Sequence, residues 1–323
     1  MNIVITGATG QDGIFLIDKL LRETDGKIFA CTRSSVNFDF NKLKYLNNNE
    51  DFSRIRIVEI DFLNYEEVFN FLKDVSPKLL FNLMGPSSVK SFIHNPNKME
   101  KVTLSCFENI INSLINLRNF CNIYHSSSSE MYGYDATIPF DENSKFEPNS
   151  SYAKSKLKLH RKCEELLKTY EWPIISGVMF NHESEFRSSN FLIMNLIEKA
   201  IEINNGAKHK VTVPSFEISR DWSYARDIAE AIFELTINNF YGTYVIGSGM
   251  SASLEEISKY IFNKVGLDYN NFVSVNSNEL RAGEPINILC NPTKIKKDTG
   301  WEASKDIYYA IDKMYEYKTF FQR

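Results

Sequence analysis

In its first half the chain alternates short apolar runs with amphipathic stretches. The apolar runs fall at residues 2–6, 27–32, 55–60, 78–83, 121–127 and 174–180. Short, nearly continuous runs of this kind read as parallel strands covered by helices on both faces. Between them, hydrophobic residues recur at helical spacing. Leu16, Leu20 and Leu21 share one face of a helix over 14–22, and Leu104, Phe107, Ile110, Ile111 and Leu114 share a face of another that begins near Met99. Strand–helix alternation predicts βαβ units and an α/β fold with a doubly wound parallel sheet. Past about residue 181 the rhythm breaks into short polar and aromatic segments, then returns in a helix over 227–237 and a strand over 243–246. The expected division is one unit of 1–180 plus about 219–250, and a smaller, discontinuous α/β unit of about 181–218 plus 251–323.

Composition narrows the class. With 323 residues, 43% hydrophobic and 24% charged, the chain reads as a globular protein with a sizeable core. A formal charge of −4 argues against a nucleic-acid surface. No basic leader and no apolar run of about 18 residues is seen, so no membrane partner and a cytoplasmic location are expected. The five cysteines, Cys31, Cys106, Cys121, Cys163 and Cys290, are widely separated and form no cluster with the five histidines, so neither a disulfide framework nor a metal site is expected. The 24 Phe and 16 Tyr are scattered at core spacings; only Trp222 and Tyr224, beside Arg220, are tied to a ligand site.

The first strand runs directly into Thr6-Gly7-Ala8-Thr9-Gly10-Gln11-Asp12-Gly13, which opens the first helix. Glycines at this spacing let the backbone turn tightly and approach a pyrophosphate, whose charge then meets the free N–H groups of a helix N-terminus. This is the Rossmann arrangement for a dinucleotide. At the end of the second strand, where an acidic residue would suit a ribose 2′-hydroxyl, stand Arg33, Ser34 and Ser35. An arginine with hydroxyls suits a 2′-phosphate and points to NADP, the competing role being a solvated surface charge. Asp61, before Phe62, is placed either to accept from the adenine amine or to cap a helix.

Tyr152-Ala153-Lys154-Ser155-Lys156 places a phenol and an ammonium four residues apart on one helix face. A tyrosine of ordinary pKa about 10 is a poor base, and bringing it to about 7 takes roughly 4 kcal/mol, which a nearby ammonium and a nicotinamide cation are expected to supply. The fifth strand ends in His125-Ser126-Ser127-Ser128-Ser129-Glu130-Met131-Tyr132-Gly133. Ends of parallel strands line the ligand crevice, so a serine there is placed to bond a reacting hydroxyl. Glu130 is placed to move a proton at a second carbon.

Taken together these motifs resemble the extended short-chain dehydrogenase/reductase family, and within it the GDP-mannose 4,6-dehydratase branch. The glycine turn, Arg33-Ser34-Ser35 and the segment from Ser127 to Gly133 carry the resemblance. So do Phe180-Asn181-His182-Glu183-Ser184, the run Arg220-Asp221-Trp222-Ser223-Tyr224-Ala225-Arg226-Asp227, Arg281-Ala282-Gly283-Glu284-Pro285 and Asn291-Pro292-Thr293-Lys294. The chain departs from that pattern at Glu185-Phe186-Arg187-Ser188, at Leu83-Met84-Gly85-Pro86-Ser87-Ser88-Val89 and at Ala282.

The resemblance implies a lyase acting on a nucleotide sugar, a GDP-hexose with GDP-mannose first, by C4 oxidation, loss of water across C5–C6 and hydride return to C6. It implies that Tyr152 takes the C4 proton, Lys156 steers the ribose, Ser128 supports the C4 oxygen and Glu130 serves C5 and C6. It places Gly7, Thr9, Gly10, Gln11, Asp12, Gly13, Arg33, Ser34, Asp61, Phe62, Leu83, Gly85, Ser87, Tyr152, Lys156, His182 and Arg187 at NADP, and Ser88, Ser128, Glu130, Asn181, Arg220, Arg281 and Glu284 at the substrate. It also implies a homo-oligomer, tetramer or dimer, with residues 34–46 at an interface. Two readings stand against it. One is an epimerase or 4-keto reductase on the same scaffold, the other a cofactor-binding protein without turnover.

Overall fold

The computed structural model describes residues 1–47, 51–85, 92, 95–133, 138–280 and 284–321. Ser87, Ser88 and Arg281, expected at the site, lie outside the described residues. In the first strand, β1 (Asn2–Thr6), Ile3 and Ile5 enter one core layer and Val4 enters the other, all fully buried. Successive strand side chains point to opposite faces, so a strand apolar at every position requires cover on both. Each such side chain taken from water contributes about 1.5–3 kcal/mol.

The chain continues through α1 (Gln11–Glu23), β2 (Lys27–Thr32), α2 (Phe40–Leu46), β3 (Ile55–Glu59), α3 (Tyr65–Val75), β4 (Leu79–Asn82), α4 (Pro96–Asn116), β5 (Asn122–Ser128), α5 (Ser151–Tyr170) and β6 (Ile174–Met179). These strands match the apolar runs of the sequence to within one or two residues at each end. Several helices begin where a side chain satisfies a free N–H group: Asn64 accepts from Glu67 N for α3, and Ser150 accepts from Ala153 N for α5. After β7 (Asn181–Glu183) come α6 (Leu192–Asn204), β8 (Val211–Val213), β9 (Ser219–Tyr224), α7 (Ala225–Ile237) and β10 (Gly242–Ile246). The chain then runs through β11 (Ser251–Ser253), α8 (Leu254–Lys264), β12 (Val273–Val275), β13 (Asn287–Ile288), α9 (Thr293–Thr299) and α10 (Ile307–Glu316).

The main sheet has seven strands in the order β3-β2-β1-β4-β5-β6-β10, every pair parallel. The order reverses between β1 and β4, and α/β sheets open their ligand crevice outside the carboxyl ends of the strands at such a point. α1 packs against α7 on one face; α3, α4 and α5 pack together on the other. β9 does not join this sheet. It lies at the centre of a second one, parallel to β7 and β13 and antiparallel to β11, while β8 pairs β12. Residues 219–250, grouped as one block from sequence, thus send one strand to each sheet.

Two buried aspartates tie these parts together. Asp221 accepts from Ser248 N, Ser248 Oγ and Gly249 N at 2.8 Å each and from Cys290 N at 3.3 Å. Asp227 accepts from Ser304 N at 2.6 Å and Lys305 N at 2.8 Å, fixing the chain before α10. Replacing Asp221 by Ala removes the acceptor for three backbone N–H groups; a loss of about 3 kcal/mol is expected, read as a lower urea midpoint at unchanged slope.

Candidate active site

The glycine turn is packed directly on the end of β4. Gly7 has φ +70°, and a Cβ there would stand 2.8 Å from the carbonyl carbon and oxygen of Leu83 and 2.9 Å from Met84 N. A side chain on Gly13 would meet Gly7 O at 2.7 Å, so α1 rides on the turn itself. Gly10 caps α1 without a side-chain bond, which leaves the first N–H groups of the helix to other acceptors. Gln11 turns inward: its Nε2 donates to His182 O at 3.2 Å and its Oε1 accepts from Ser184 Oγ at 2.8 Å, joining the turn to β7. Thr9 is half-buried beside them.

Arg33 is exposed and Ser34 half-buried at the end of β2. Their turn is held by Thr32 Oγ1 donating to Ser34 O at 3.1 Å and Ser35 N donating to Glu59 at 2.9 Å; Glu59 carried no signal in the sequence. Asp61 accepts from Leu63 N at 2.9 Å, an Asx turn, while Asn64 caps α3 in its place. Phe62 is buried. Burial pushes the Cys106 thiol up to about 11, with the nearby Asp61 adding and Arg33 opposing. A tight glycine turn and an uncapped helix start fit the pyrophosphate of a nicotinamide dinucleotide.

At the other end, β5 and α5 meet. Ser128 caps the turn after β5, its Oγ accepting from Glu130 N at 3.3 Å, and its hydroxyl hydrogen-bonds the Tyr152 phenol. Glu130 and Arg187 both lie close enough to act on that phenol. Lys156 Nζ donates to Ser126 O at 2.8 Å and stands 5.9 Å from the Tyr152 ring centre; Gly85 passes beside it. The structure therefore brings Ser128, Glu130, Tyr152, Lys156 and Arg187 together.

Burial dominates the protonation of both Tyr152 and Lys156. Burial pushes Tyr152 up to about 12, Ser128 and Arg187 pulling down and Glu130 pushing up. Burial also pulls Lys156 down to about 8, with Asp12 opposing. In the protein alone the phenol is thus not brought near neutrality by the lysine: desolvation penalises both charged forms, and the ammonium is turned to a backbone carbonyl. Behind the site, Thr6 Oγ1 donates to Asn82 Oδ1 at 2.8 Å, and the Asn82 amide lies 2.9 Å from His125 Nδ1. Burial, with Lys156 adding, holds His125 well below its ordinary value, so it stays neutral.

Beside the glycine turn lie two charge pairs. His182 Nε2 sits 3.1 Å from Asp12 Oδ1 and Arg187 Nε 3.1 Å from Glu183 Oε2. His182 Nδ1 is also 2.7 Å from Phe180 O. Both imidazole nitrogens therefore face acceptors, the situation of an imidazolium. Against burial, Asp12 lifts His182 above its ordinary value; against burial, His182 and Arg187 hold Asp12 below its own.

Of the residues expected at the substrate, Arg220 and Glu284 bond one another at 2.9 Å. Arg220 also donates to the carbonyls of Ser219, Pro285 and Ile286 at 2.8–3.2 Å. Asn181 is half-buried at the start of β7. Trp222 and Tyr224, expected near the ligand, are instead core residues. Trp222 Nε1 donates to Ala252 O at 3.2 Å and Tyr224 Oη to Glu185 at 3.1 Å, so their polar tips are satisfied inside. Among the described residues no group of three His, Cys, Asp or Glu side chains is placed to hold a metal, and no helix is long and apolar enough to cross a membrane.

The sheet order, the glycine turn and the tyrosine–lysine helix define a Rossmann-type protein of the short-chain dehydrogenase/reductase kind. The chain belongs to the GDP-mannose 4,6-dehydratase family, whose model matches residues 4–314. GDP-mannose 4,6 dehydratase 1 of Arabidopsis thaliana is 27% identical over 306 residues, covering 93% of this chain and 84% of the relative. A dTDP-glucose 4,6-dehydratase from Streptomyces venezuelae, solved with NAD and TYD bound, superposes with a TM-score of 0.86 at 17% identity, over 99% of this chain and 98% of that one. RMD from Pseudomonas aeruginosa, complexed with NADPH, gives 0.78 at 18% identity, over 98% and 96%.

The Asp12–His182 pair makes stability pH-dependent. Asp12 contributes above its unfolded value of 3.8 and loses that as pH falls; His182 contributes below 6.5 and loses that as pH rises through its raised folded value. The coupling between Asp12→Asn and His182→Gln, measured by denaturation, is expected to be largest between pH 3.8 and 6.5 and to shrink toward alkaline pH.

Proposed function

We propose that the protein is a nucleotide-sugar 4,6-dehydratase that uses NADP and takes GDP-mannose as its first substrate. The observation that carries this is the meeting of Ser128, Glu130 and Tyr152 at one point of the crevice with Lys156 behind them. When bound, NADP supplies the reversible two-electron acceptor this chemistry requires. Tyr152 takes the proton of the C4 hydroxyl while Ser128 bonds its oxygen; Lys156 holds the ribose. Once C4 is a ketone the C5 proton is acidic, and Glu130 removes it and passes a proton to the departing C6 hydroxyl; the hydride taken from C4 would then return to C6 while C5 takes a proton that has exchanged with solvent. A plain 4-epimerase has no use for that carboxylate. Arg33 and Ser34 hold the 2′-phosphate, His182 and Arg187 flank the reaction centre, and Asn181, Arg220 and Glu284 face the nucleotide sugar.

We further propose a homo-oligomer, dimer or tetramer, with residues 34–46 at its interface. α2 is seated through Tyr45 on the rings of Phe186, Tyr317 and Phe321, leaving Val36 88% exposed at the tip of the preceding turn. Sedimentation as a monomer at micromolar concentration would refute this.

Incubation of the pure protein with GDP-mannose, followed by NMR, is expected to give a 4-keto-6-deoxy sugar without net NADPH consumption; net oxidation of added NADPH marks a reductase instead. Tyr152→Phe should lower kcat by about 10²–10⁴ while cofactor binding persists. Glu130→Gln should stop water loss and the entry of solvent deuterium at C5. Arg33→Ala should weaken NADP binding and leave NAD binding nearly unchanged.

A further inference from the structure

We propose that Glu183 governs how strongly Arg187 acts on the Tyr152 phenol, and so is a positioning residue for the proton transfer assigned to that tyrosine. The inference rests on that assignment.

Glu183 ends β7 and its side chain is 3% exposed. Arg187 Nε stands 3.1 Å from its Oε2, and the guanidinium carbon lies 3.5 Å from the ring centre of Phe191. Arg187 N donates to Ser184 O at 2.9 Å, and Ser184 is itself bonded to Gln11, so the turn that carries the arginine is anchored to the glycine turn. Between a carboxylate and an aromatic face, the guanidinium is fixed in place, and with it the distance at which its charge acts.

Two sets of charged groups meet here. Arg187 faces Glu183 from its own segment, while His182 from β7 and Asp12 from α1 also act on it. Ser128 and Glu130 from the end of β5 face Tyr152 together with Arg187, and Lys156 lies across its ring. Glu185, two residues on, is turned away and accepts from Tyr224 Oη. Of Glu183 and Glu185, it is therefore Glu183 that is paired with the arginine.

The sign follows from charge. As a carboxylate, Glu183 cancels part of the arginine field and leaves the phenolate less favoured. Burial raises Glu183 above its ordinary value, with Arg187 and His182 opposing, which brings its protonation closer to neutral pH than for an exposed glutamate. Each proton it takes up frees the guanidinium to act on the phenol. A carboxylate whose one role was to brace the fold would leave the phenol titration untouched.

The test uses the full chain with Glu183→Gln, Arg187→Gln and both together. A fluorotyrosine placed at position 152 titrates at lower pH than tyrosine and is read by fluorine NMR without cofactor. Turnover of GDP-mannose against pH is the second readout. Glu183→Gln is expected to lower the phenol midpoint by about 0.5–1 pH, Arg187→Gln to raise it, and the double variant to return it near the parent value. An unchanged or raised midpoint in Glu183→Gln overturns the proposal. Should that variant fail to fold, an unchanged midpoint in Arg187→Gln overturns it equally. Absence of turnover in the parent protein would count against the proposed function, while the fluorine titration still decides this inference.

Discussion

A phenol and an ammonium buried on one helix face are each driven toward neutrality by leaving water, and the site depends on the ions set around them to oppose this. Tyr152 is lifted to about 12 and Lys156 lowered to about 8, both chiefly by burial. A tenfold change in either ionisation equilibrium corresponds to about 1.4 kcal/mol between the charged and neutral forms. Asp12 works against the loss of charge on Lys156, and Arg187 against its loss on Tyr152. Those two ions are in turn held by His182 and Glu183, neighbours on β7. One short strand therefore tempers the field that each of these ions presents to the tyrosine–lysine pair.

This explains why the fold places so many buried polar groups outside the crevice. β7 carries the charge pairs, so its position must be fixed to a fraction of a hydrogen bond. It is clamped on one side by Gln11, which bonds both His182 O and Ser184 Oγ, and on the other by its parallel register with β9. β9 is fixed in turn by Asp221, and the Arg220–Glu284 pair ties it to the segment before β13. Removing one member of such a buried pair strands the other charge, at roughly 3–5 kcal/mol, so these links resist piecemeal loss.

The first six strands, the glycine turn and the tyrosine–lysine helix were legible because each is a local pattern: an apolar run, a spacing, a cap. The strand over 243–246 was legible for the same reason and is β10 of the main sheet. The sheet that β9 joins was not legible. Its residues, Ser219-Arg220-Asp221-Trp222-Ser223-Tyr224, read as a polar ligand segment, whereas all but Ser219 are buried because their partners come from distant parts of the chain. Trp222 and Tyr224 misled for that reason. The acidity of Tyr152 was illegible on different grounds: spacing shows that an ammonium is near, and burial, which outweighs it, appears only in three dimensions.

The departure at Glu185-Phe186-Arg187 gains a physical meaning from this arrangement. Phe186 packs on Phe15, Tyr45 and Tyr317, which binds the segment to α1, α2 and the C-terminal turn. Glu185 is buried against Tyr224, and burial raises it above its ordinary value. The segment thus has one face in the core and one face, through Arg187, at the reaction centre. A substitution in its core face shifts the guanidinium, and a field falling off with distance turns a small displacement into a change in phenol acidity. The same three residues therefore link the packing of α2, the element proposed to meet a second subunit, to the surroundings of the Tyr152 phenol.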